Sequence, residues 1–432
     1  MLDIKLVREN SKVIEKDLMK RGDTEKLDIL NELIEKDKKK RDLMTQIQHM
    51  RHKRNELTKE IAELKRDKKP EREIKRKIKE MKELPNQIKK MDAELEELEK
   101  KCKHILMGLP NILHESVPFG KDDSANKLVR KIGKKPILKN PKGHLDILSD
   151  LGLINAERAN KVAGHGFFYM NDDLVQLDYA LMAFASDFLI KKGFTLVQPP
   201  FMMRRKPYEG VTDLNDFENV MYKIENEDLY LIATSEHSIA SMFMDEVIER
   251  KDLPLKFAGI SPCFRKEVGT HGKYTKGLFR MHQFNKIEQF VFSHPNESWN
   301  IHEELQKNVE ELYTKLGLHA RVVNVCTGDI GNLAAKKYDI EIWMADNVFR
   351  EAGSNSNCTD YQARRLNIKY REKEGVSPSG YIHTLNNTAI ATSRIMLAIV
   401  EQYQQKDGSI AVPKVLQKYM NKKVIIKNKN KQ

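Results

Sequence analysis

Between residues 25 and 106 the apolar positions recur in alternating steps of four and three. Leu43, Ile47 and Met50 are followed by Leu57, Ile61 and Leu64, with Arg54 in the one polar slot. This spacing is the heptad seam of a coiled coil. A second seam runs through Ile88, Met91, Leu95, Leu98, Cys102 and Ile105. Between them lies Lys65-Arg66-Asp67-Lys68-Lys69-Pro70, a charged break whose proline disfavours helix at the preceding residue. The pattern predicts one antiparallel helical hairpin. Pro85 falls inside its second arm, where it is expected to remove a hydrogen bond and kink the helix.

After residue 106 the texture changes. Leu109-Pro110-Asn111 and the Gly- and Lys-rich stretch to Gly143 read as a linker, and from Gly164 onward aromatics, glycines and β-branched runs appear. Short apolar runs at Phe194–Val197, Leu229–Ile232, Leu255–Gly259, Ile287–Phe292 and Tyr338–Trp343 predict strands. The expected fold class is α+β: an antiparallel β-sheet domain with flanking helices, preceded by the α-helical hairpin. The boundaries implied are an N-terminal domain over 1–110 with its hairpin arm at about 25–106, a linker and junction over 111–163, and a second domain over 164–432.

The 432 residues carry a net charge of +13, which favours an acidic partner. Two basic clusters, Lys38-Lys39-Lys40-Arg41 and Arg72 to Lys79, fall on the hairpin. A coiled coil is more commonly a dimerisation device, but two arms that bury their seams on each other leave a rod of exposed cations. Salt-dependent contact with nucleic acid phosphates is the reading adopted here. No apolar run reaches the roughly 18 residues of a membrane span; the nearest, Tyr179–Ile190, is interrupted by Ser186 and Asp187. The opening Met1-Leu2-Asp3-Ile4-Lys5 is unlike a secretory or transit signal, so a cytoplasmic protein is expected. Cys102, Cys263, Cys326 and Cys358 stand far apart, which predicts reduced thiols and no zinc site. Neither a G-x-G-x-x-G turn nor a P-loop occurs, so phosphate must be bound by side chains.

The chemistry-bearing stretch is Pro262-Cys263-Phe264-Arg265-Lys266-Glu267, a loop with Gly269, Gly272 and Gly277, then Arg280-Met281-His282-Gln283-Phe284. Two strand ends joined by such a loop gather two arginines, a carboxylate and an aromatic face. The arginine fork suits phosphate, the ring suits adenine, and the carboxylate can accept from the adenine amino group. This stretch resembles motif two of the class II aminoacyl-tRNA synthetase family. Lys192-Gly193-Phe194 through Pro199-Pro200 resembles motif one, the dimer-forming helix and strand. Leu385-Asn386-Asn387-Thr388-Ala389-Ile390-Ala391-Thr392-Ser393-Arg394 resembles motif three, with Asn387, Ala389 and Ser393 where glycines are common.

Within that class the chain most resembles the seryl-tRNA synthetases. The resemblance rests on Thr234-Ser235-Glu236, on Phe349 to Asp360 with Gln362-Ala363-Arg364-Arg365, on Leu109-Pro110-Asn111, and on Gly328 to Asp339. It implies an ATP-dependent serine–tRNA ligase, a homodimer that makes seryl-adenylate and then charges tRNA(Ser), with tRNA(Sec) as a further substrate where it exists. The resemblance puts Arg265 between the serine carboxylate and the α-phosphate, Glu267 and Phe284 at adenine, and Arg280 and Arg394 at the β/γ end. Glu351 and Ser354 would hold Mg2+, with Glu351 alternatively a salt-bridge partner of Arg350 or Arg365. Lys266, Met281, Ala352 and Gly353 complete the implied ATP contacts. For serine it implies Thr234 and Glu236 at the ammonium, Glu288, Asn386 and Thr388 at the side chain, and Ser235 as a further serine-binding residue. Bland alternatives pair Glu288 with Lys286 and make Thr388 a helix-capping hydroxyl; His271 and His282 are read as loop and packing residues.

Two competing functions are kept. A paralogue loading a small amino acid on a carrier protein would lack the long hairpin. A non-catalytic RNA-binding paralogue would have lost Arg265, Glu267, Glu351 or Arg394, and all four are present.

Overall fold

The computed structural model describes residues 1–213, 220–266 and 278–426. The chain divides into two compact units, Met1–Leu109 and Pro110–Gln432.

The first unit holds α1 (Ile4–Arg21), α2 (Glu25–Arg66) and α3 (Glu71–Gly108). Leu43, Ile47, Leu57 and Ile61 of α2 are buried, as are Leu84, Ile88, Leu98, Cys102 and Leu106 of α3. The expected seam therefore forms, with Leu106 in the place expected for the half-buried Ile105. Pro70 stands at the N-cap of α3, where its missing N–H costs nothing. Pro85 neither ends nor splits that helix. The heptads gave no sign of α1, although its buried Val7, Ile14 and Leu18 have helical spacing. Arg8 ties α1 to α2 by a two-pronged bond to buried Asp37, at 2.7 and 2.8 Å.

Many cations of the rod already have partners. Lys39 pairs with Glu94, Arg41 with Asp37, Lys53 with Glu80, Lys75 with Glu71 and Lys77 with Glu60. Among the described residues Lys65, Lys68, Lys69, Arg72, Arg76 and Lys79, clustered around the turn between α2 and α3, form no ion pair. In the Lys38–Arg41 cluster, by contrast, three of the four cations, Lys39, Lys40 and Arg41, are paired.

The second unit is built on an eight-stranded sheet. Its strands are β1 (Lys127–Ile132), β2 (Thr195–Val197), β3 (Leu255–Phe264), β4 (Gln283–Ser293), β5 (Ala320–Asn324), β6 (Lys336–Trp343), β7 (Phe349–Asn357) and β8 (His383–Ala391), in spatial order β1-β5-β6-β7-β8-β4-β3-β2. Every pair is antiparallel except the outer β2–β3. The stretch expected as linker thus supplies an edge strand of the sheet, β1. The expected strand at Leu229–Ile232 forms over Tyr230–Leu231, but in a separate pair with Met202–Met203.

Helices α4 (Asp173–Lys191), α5 (Ser298–Lys315) and α6 (Thr392–Gln402) cover one face of the sheet. Strand β4 shows how the two faces separate, because side chains alternate along it. Ile287 and Val291 enter the helix-covered core. Lys286 and Glu288 face the other way, towards an open cleft. Further along that face Phe290 and Phe292 pack into a second apolar cluster with Tyr208, Tyr230 and Ile382. Among the described residues no helix is long and apolar enough to cross a membrane.

Candidate active site

The cleft, of about 360 Å³, lies over the middle of the sheet. From β4 come Phe284, Lys286 and Glu288, spaced by two as one strand face requires. Neighbouring β8 adds Asn386 and Thr388, and Arg394 enters from the first turn of α6, directly after that strand. Strand β7 contributes Glu351, Ala352, Gly353, Ser354 and Ser356, while Arg265 follows the end of β3 and Glu236 comes from the short helix Ser235–Ala240.

Two register shifts aim these side chains. Ile340 pairs with Gly353 but Glu341 pairs with Glu351, leaving Ala352 as an extra residue in β7. The bulge resets the alternation, so Glu351 shares the cleft face with Ser354 and Ser356. In β8 Thr388 pairs with Glu288 and Ile390 with Ile287, leaving Ala389 extra and turning Ala391 towards the cleft. Gly353 is required by close approach: a Cβ there would stand 2.8 Å from the Thr388 Cβ.

One end of the cleft is a buried hydrogen-bond network around Glu288, which is fully buried. Its Oε2 accepts from the Thr388 hydroxyl at 2.9 Å and lies 2.5 Å from the Lys286 Nζ. Its Oε1 accepts from the Asn386 amide at 3.3 Å. Asn386 also donates to Glu236 Oε2 at 3.1 Å, bridging the two carboxylates. Desolvation, helped by the Glu288 charge, raises the Glu236 carboxyl to about 7 against the opposing pull of Lys286 and Arg265. Glu288 is thus paired with Lys286, and both residues line the cleft. Thr388 sits in a strand and caps no helix.

The other end is cationic. Arg394 Nη1 donates to the Glu351 carbonyl at 2.9 Å and to its Oε1 at 3.1 Å. Desolvation pushes the Glu351 carboxyl up, but Arg394 and Lys337 outweigh it and hold the group below the usual carboxylate range. The side chain is 50% exposed and so open to a ligand. Its partner is Arg394, not Arg350, which pairs with Asp346, nor Arg365, which donates to backbone carbonyls of Glu209 and Thr212. Arg265 lies 5.4 Å over the Phe284 ring, with its Nε near the Ala233 carbonyl at 3.4 Å.

Several expected site residues stand elsewhere. Ser235 is fully buried, its hydroxyl donating to the Gly259 carbonyl, and Gly259 has no Cβ because one would meet that hydroxyl at 2.6 Å. Thr234 caps the short helix by accepting from the Glu236 N–H at 3.3 Å, so it acts on the site through Glu236. Lys266 and Arg280 do not line the cleft, and Met281 is buried beside a smaller cavity behind Phe284. Glu267, Gly269, His271, Gly272 and Gly277 lie outside the described residues. His282 is a packing residue as expected: it stacks on Phe167 at 5.0 Å and bonds the Tyr222 hydroxyl at 2.8 Å.

Sequence reading missed Lys337, a cleft cation. It also missed Asp339, opposite Ser354 in the sheet register, whose carboxyl is raised to about 7 chiefly by burial.

Comparison with known proteins supports a family for this geometry. Residues 1–113 match the seryl-tRNA synthetase N-terminal domain, and residues 219–403 match the tRNA synthetase class II core domain (G, H, P, S and T). A serine–tRNA ligase of Methanospirillum hungatei is 52% identical over 98% of this chain and 99% of its own length. The crystal structure of seryl-tRNA synthetase from Pyrococcus horikoshii complexed with ATP superposes with a TM-score of 0.95 at 48% identity, covering 99% of this chain and 100% of that one. The cytoplasmic serine–tRNA ligase of Naegleria fowleri in complex with AMP gives a TM-score of 0.89 at 35% identity, covering 99% of each. With the hairpin, the antiparallel sheet and the arginine-lined cleft in place, the chain belongs to the seryl-tRNA synthetases, the class II ligases that join serine to tRNA at the expense of ATP.

Proposed function

We propose that the cleft makes seryl-adenylate and then passes serine to the 3′ end of tRNA(Ser), with the roles of its residues following from position. The observation that carries this is one cavity with a buried Glu288–Thr388–Asn386 network at one end and Arg265, Lys337 and Arg394 at the other. The serine ammonium meets Glu236, its hydroxyl meets Glu288 and Thr388, and its carboxylate meets Arg265. Phe284 offers a ring to adenine, and Arg394 faces the β/γ-phosphates. The serine carboxylate oxygen bonds the α-phosphorus as the bond to the bridging oxygen of pyrophosphate breaks. No general base is needed, because the nucleophile is already ionised; the chain supplies alignment and fixed positive charge. In the second step a terminal ribose hydroxyl of tRNA attacks the acyl carbon and AMP leaves.

Magnesium fits the chain only as an ion shared with ATP. Among the described residues no group of three His, Cys, Asp or Glu could hold a metal, whereas Glu351 and the Ser354 hydroxyl offer two hard oxygen donors on one strand face. When bound there, the ion would neutralise phosphate charge.

The pKa of Glu236 gives a pH test. Ionised Glu236 attracts the serine ammonium, and a carboxyl raised to about 7 loses its charge as pH falls through that value. Lys286, Arg265 and Glu288 face it. Thus kcat/KM for serine is expected to fall below about pH 7, towards tenfold per unit, and Glu236→Gln is expected to flatten the profile. A profile flat from pH 6 to 8 in the unsubstituted enzyme would remove Glu236 from the ammonium site.

The hairpin is assigned to tRNA, through its tip cations. Removing Leu27 to Ile105 and closing the gap with a short flexible linker is expected to leave serine-dependent pyrophosphate exchange into ATP within about threefold while tRNA charging falls by at least about tenfold. tRNA affinity of the full chain falls steeply with salt, and that of the deletion much less. Equal affinity with and without the hairpin would return it to a purely structural coil. The same tRNA contacts would serve tRNA(Sec) where one exists.

Homodimer formation is assigned to the motif-one region. Strand β2 is the outer strand of the sheet; Leu196 in it, and Tyr179 and Ile190 of α4, are exposed apolar residues. A cytoplasmic place of work accords with four cysteines that are all free and buried.

A further inference from the structure

We propose that Asp178 is a positioning residue for the ATP end of the cleft, holding Asn285 of β4 and Thr392 of α6 so that the adjoining Phe284 and Arg394 keep one geometry. The inference rests on the ATP reading of those two residues given above. Asp178 projects from α4, the helix before the motif-one strand, and is 3% exposed. Its Oδ2 accepts from the Asn285 amide at 2.7 Å, and its carboxylate is also bonded by the Thr392 side chain. The Thr392 hydroxyl in turn lies 3.1 Å from the Asn285 carbonyl. Three elements therefore meet at one buried carboxylate.

Two features say that this carboxylate does more than fill space. Among the described residues no cation pairs with it, so it bears the cost of burial with hydrogen bonds alone, and that burial raises its pKa. An uncharged residue would pack there without this cost. Behind Phe284, moreover, lies a cavity of about 130 Å³ lined by Phe167, Met170, Asp178, Met281 and Met396 among others. The ring that faces the main cleft is thus not backed by a close-packed wall, and three residues of that cavity's lining are flexible methionines. What holds the strand beside the ring is Asn285, whose side-chain amide donates to Asp178 and whose backbone carbonyl accepts from the Thr392 hydroxyl. Arg394, two residues after Thr392, is set by the same contacts at the start of α6.

The test uses the full-length enzyme and measures dissociation constants for ATP and for serine by calorimetry, beside serine-dependent exchange. Asp178→Ala is expected to weaken ATP binding by at least about tenfold, the scale of a lost hydrogen-bonded carboxylate, and to leave serine binding within about twofold. Should that variant fold poorly, Asn285→Ala is expected to give the same ATP-selective loss. The swap Asp178→Asn with Asn285→Asp restores an amide–carboxylate pair and is expected to recover most of the ATP affinity. Unchanged ATP affinity, or equal loss for ATP and serine without recovery in the swap, would overturn the role of Asp178. Absent serine-dependent exchange in the unsubstituted enzyme would instead count against the serine reading, and the ATP constants would still decide the role of Asp178.

Discussion

Replacing Glu288 by alanine is expected to collapse the preference for serine over alanine. A carboxylate has about four acceptor sites, and three are taken in the structure, by Lys286, Thr388 and Asn386. On the proposed reading the remaining one accepts from the hydroxyl of serine. Alanine, which lacks that hydroxyl, would leave a buried acceptor unpaired, and a site built this way rejects such an analogue by about ten-thousandfold. In Glu288→Ala the preference is expected to fall to about a hundredfold or less, and Thr388→Ala to erode it in part. Removing Glu288 also strands the Lys286 ammonium, which is 5% exposed, so some stability is lost. The ratio of kcat/KM for serine to that for alanine cancels a loss of active enzyme. Threonine is excluded by the volume of one methyl, a weaker filter worth about ten- to a few-hundredfold. An unchanged serine-to-alanine ratio in both variants would show that specificity lies elsewhere.

Arginine 265 carries the second large effect. Its guanidinium holds no acidic partner in the described site; it rests over Phe284 and reaches a backbone carbonyl. Arg265→Ala therefore breaks no ion pair among the described residues, though it removes a charge that opposes the raised Glu236 carboxyl, and the fold is expected to persist. Adenylate formation is expected to fall by about a hundredfold or more, because the lost contact is made to charge that moves onto the α-phosphoryl group during reaction. Arg265→Lys keeps the charge but loses the planar two-pronged fork, and is expected to fall in between. Near-normal exchange in Arg265→Ala would remove it from the reaction centre.

The features legible in the sequence are those set by local period. The heptads of α2 and α3 announce their own seam, and Phe284 to Glu288 show one strand face. Register changes are a different matter. The extra residues Ala352 and Ala389 carry no pattern of their own, yet they decide that Glu351 and Ala391 face the cleft. Partner choice is equally hidden: Glu351 is adjacent to Arg350 in sequence but bonds Arg394, forty-three residues on. Ser235 was drawn into the site by its neighbours Thr234 and Glu236, whereas the gap left by Gly259 turns it away from the cleft. Strand β1 reads as linker because its positions are mostly exposed and half of them are charged, as an edge strand tolerates. Positive clusters mislead for another reason, since the acids that pair with Lys39 and Lys77 lie on the opposite arm of the hairpin.

The most direct test of the account is amino-acid-dependent exchange of pyrophosphate into ATP, run on the full-length enzyme with each of the twenty amino acids in turn. Serine alone is expected to support rapid exchange, with alanine and threonine as the strongest of the weak remainder. Exchange with none of them, or an equal rate with an amino acid that lacks a hydroxyl, would contradict the assignment of this cleft to serine activation.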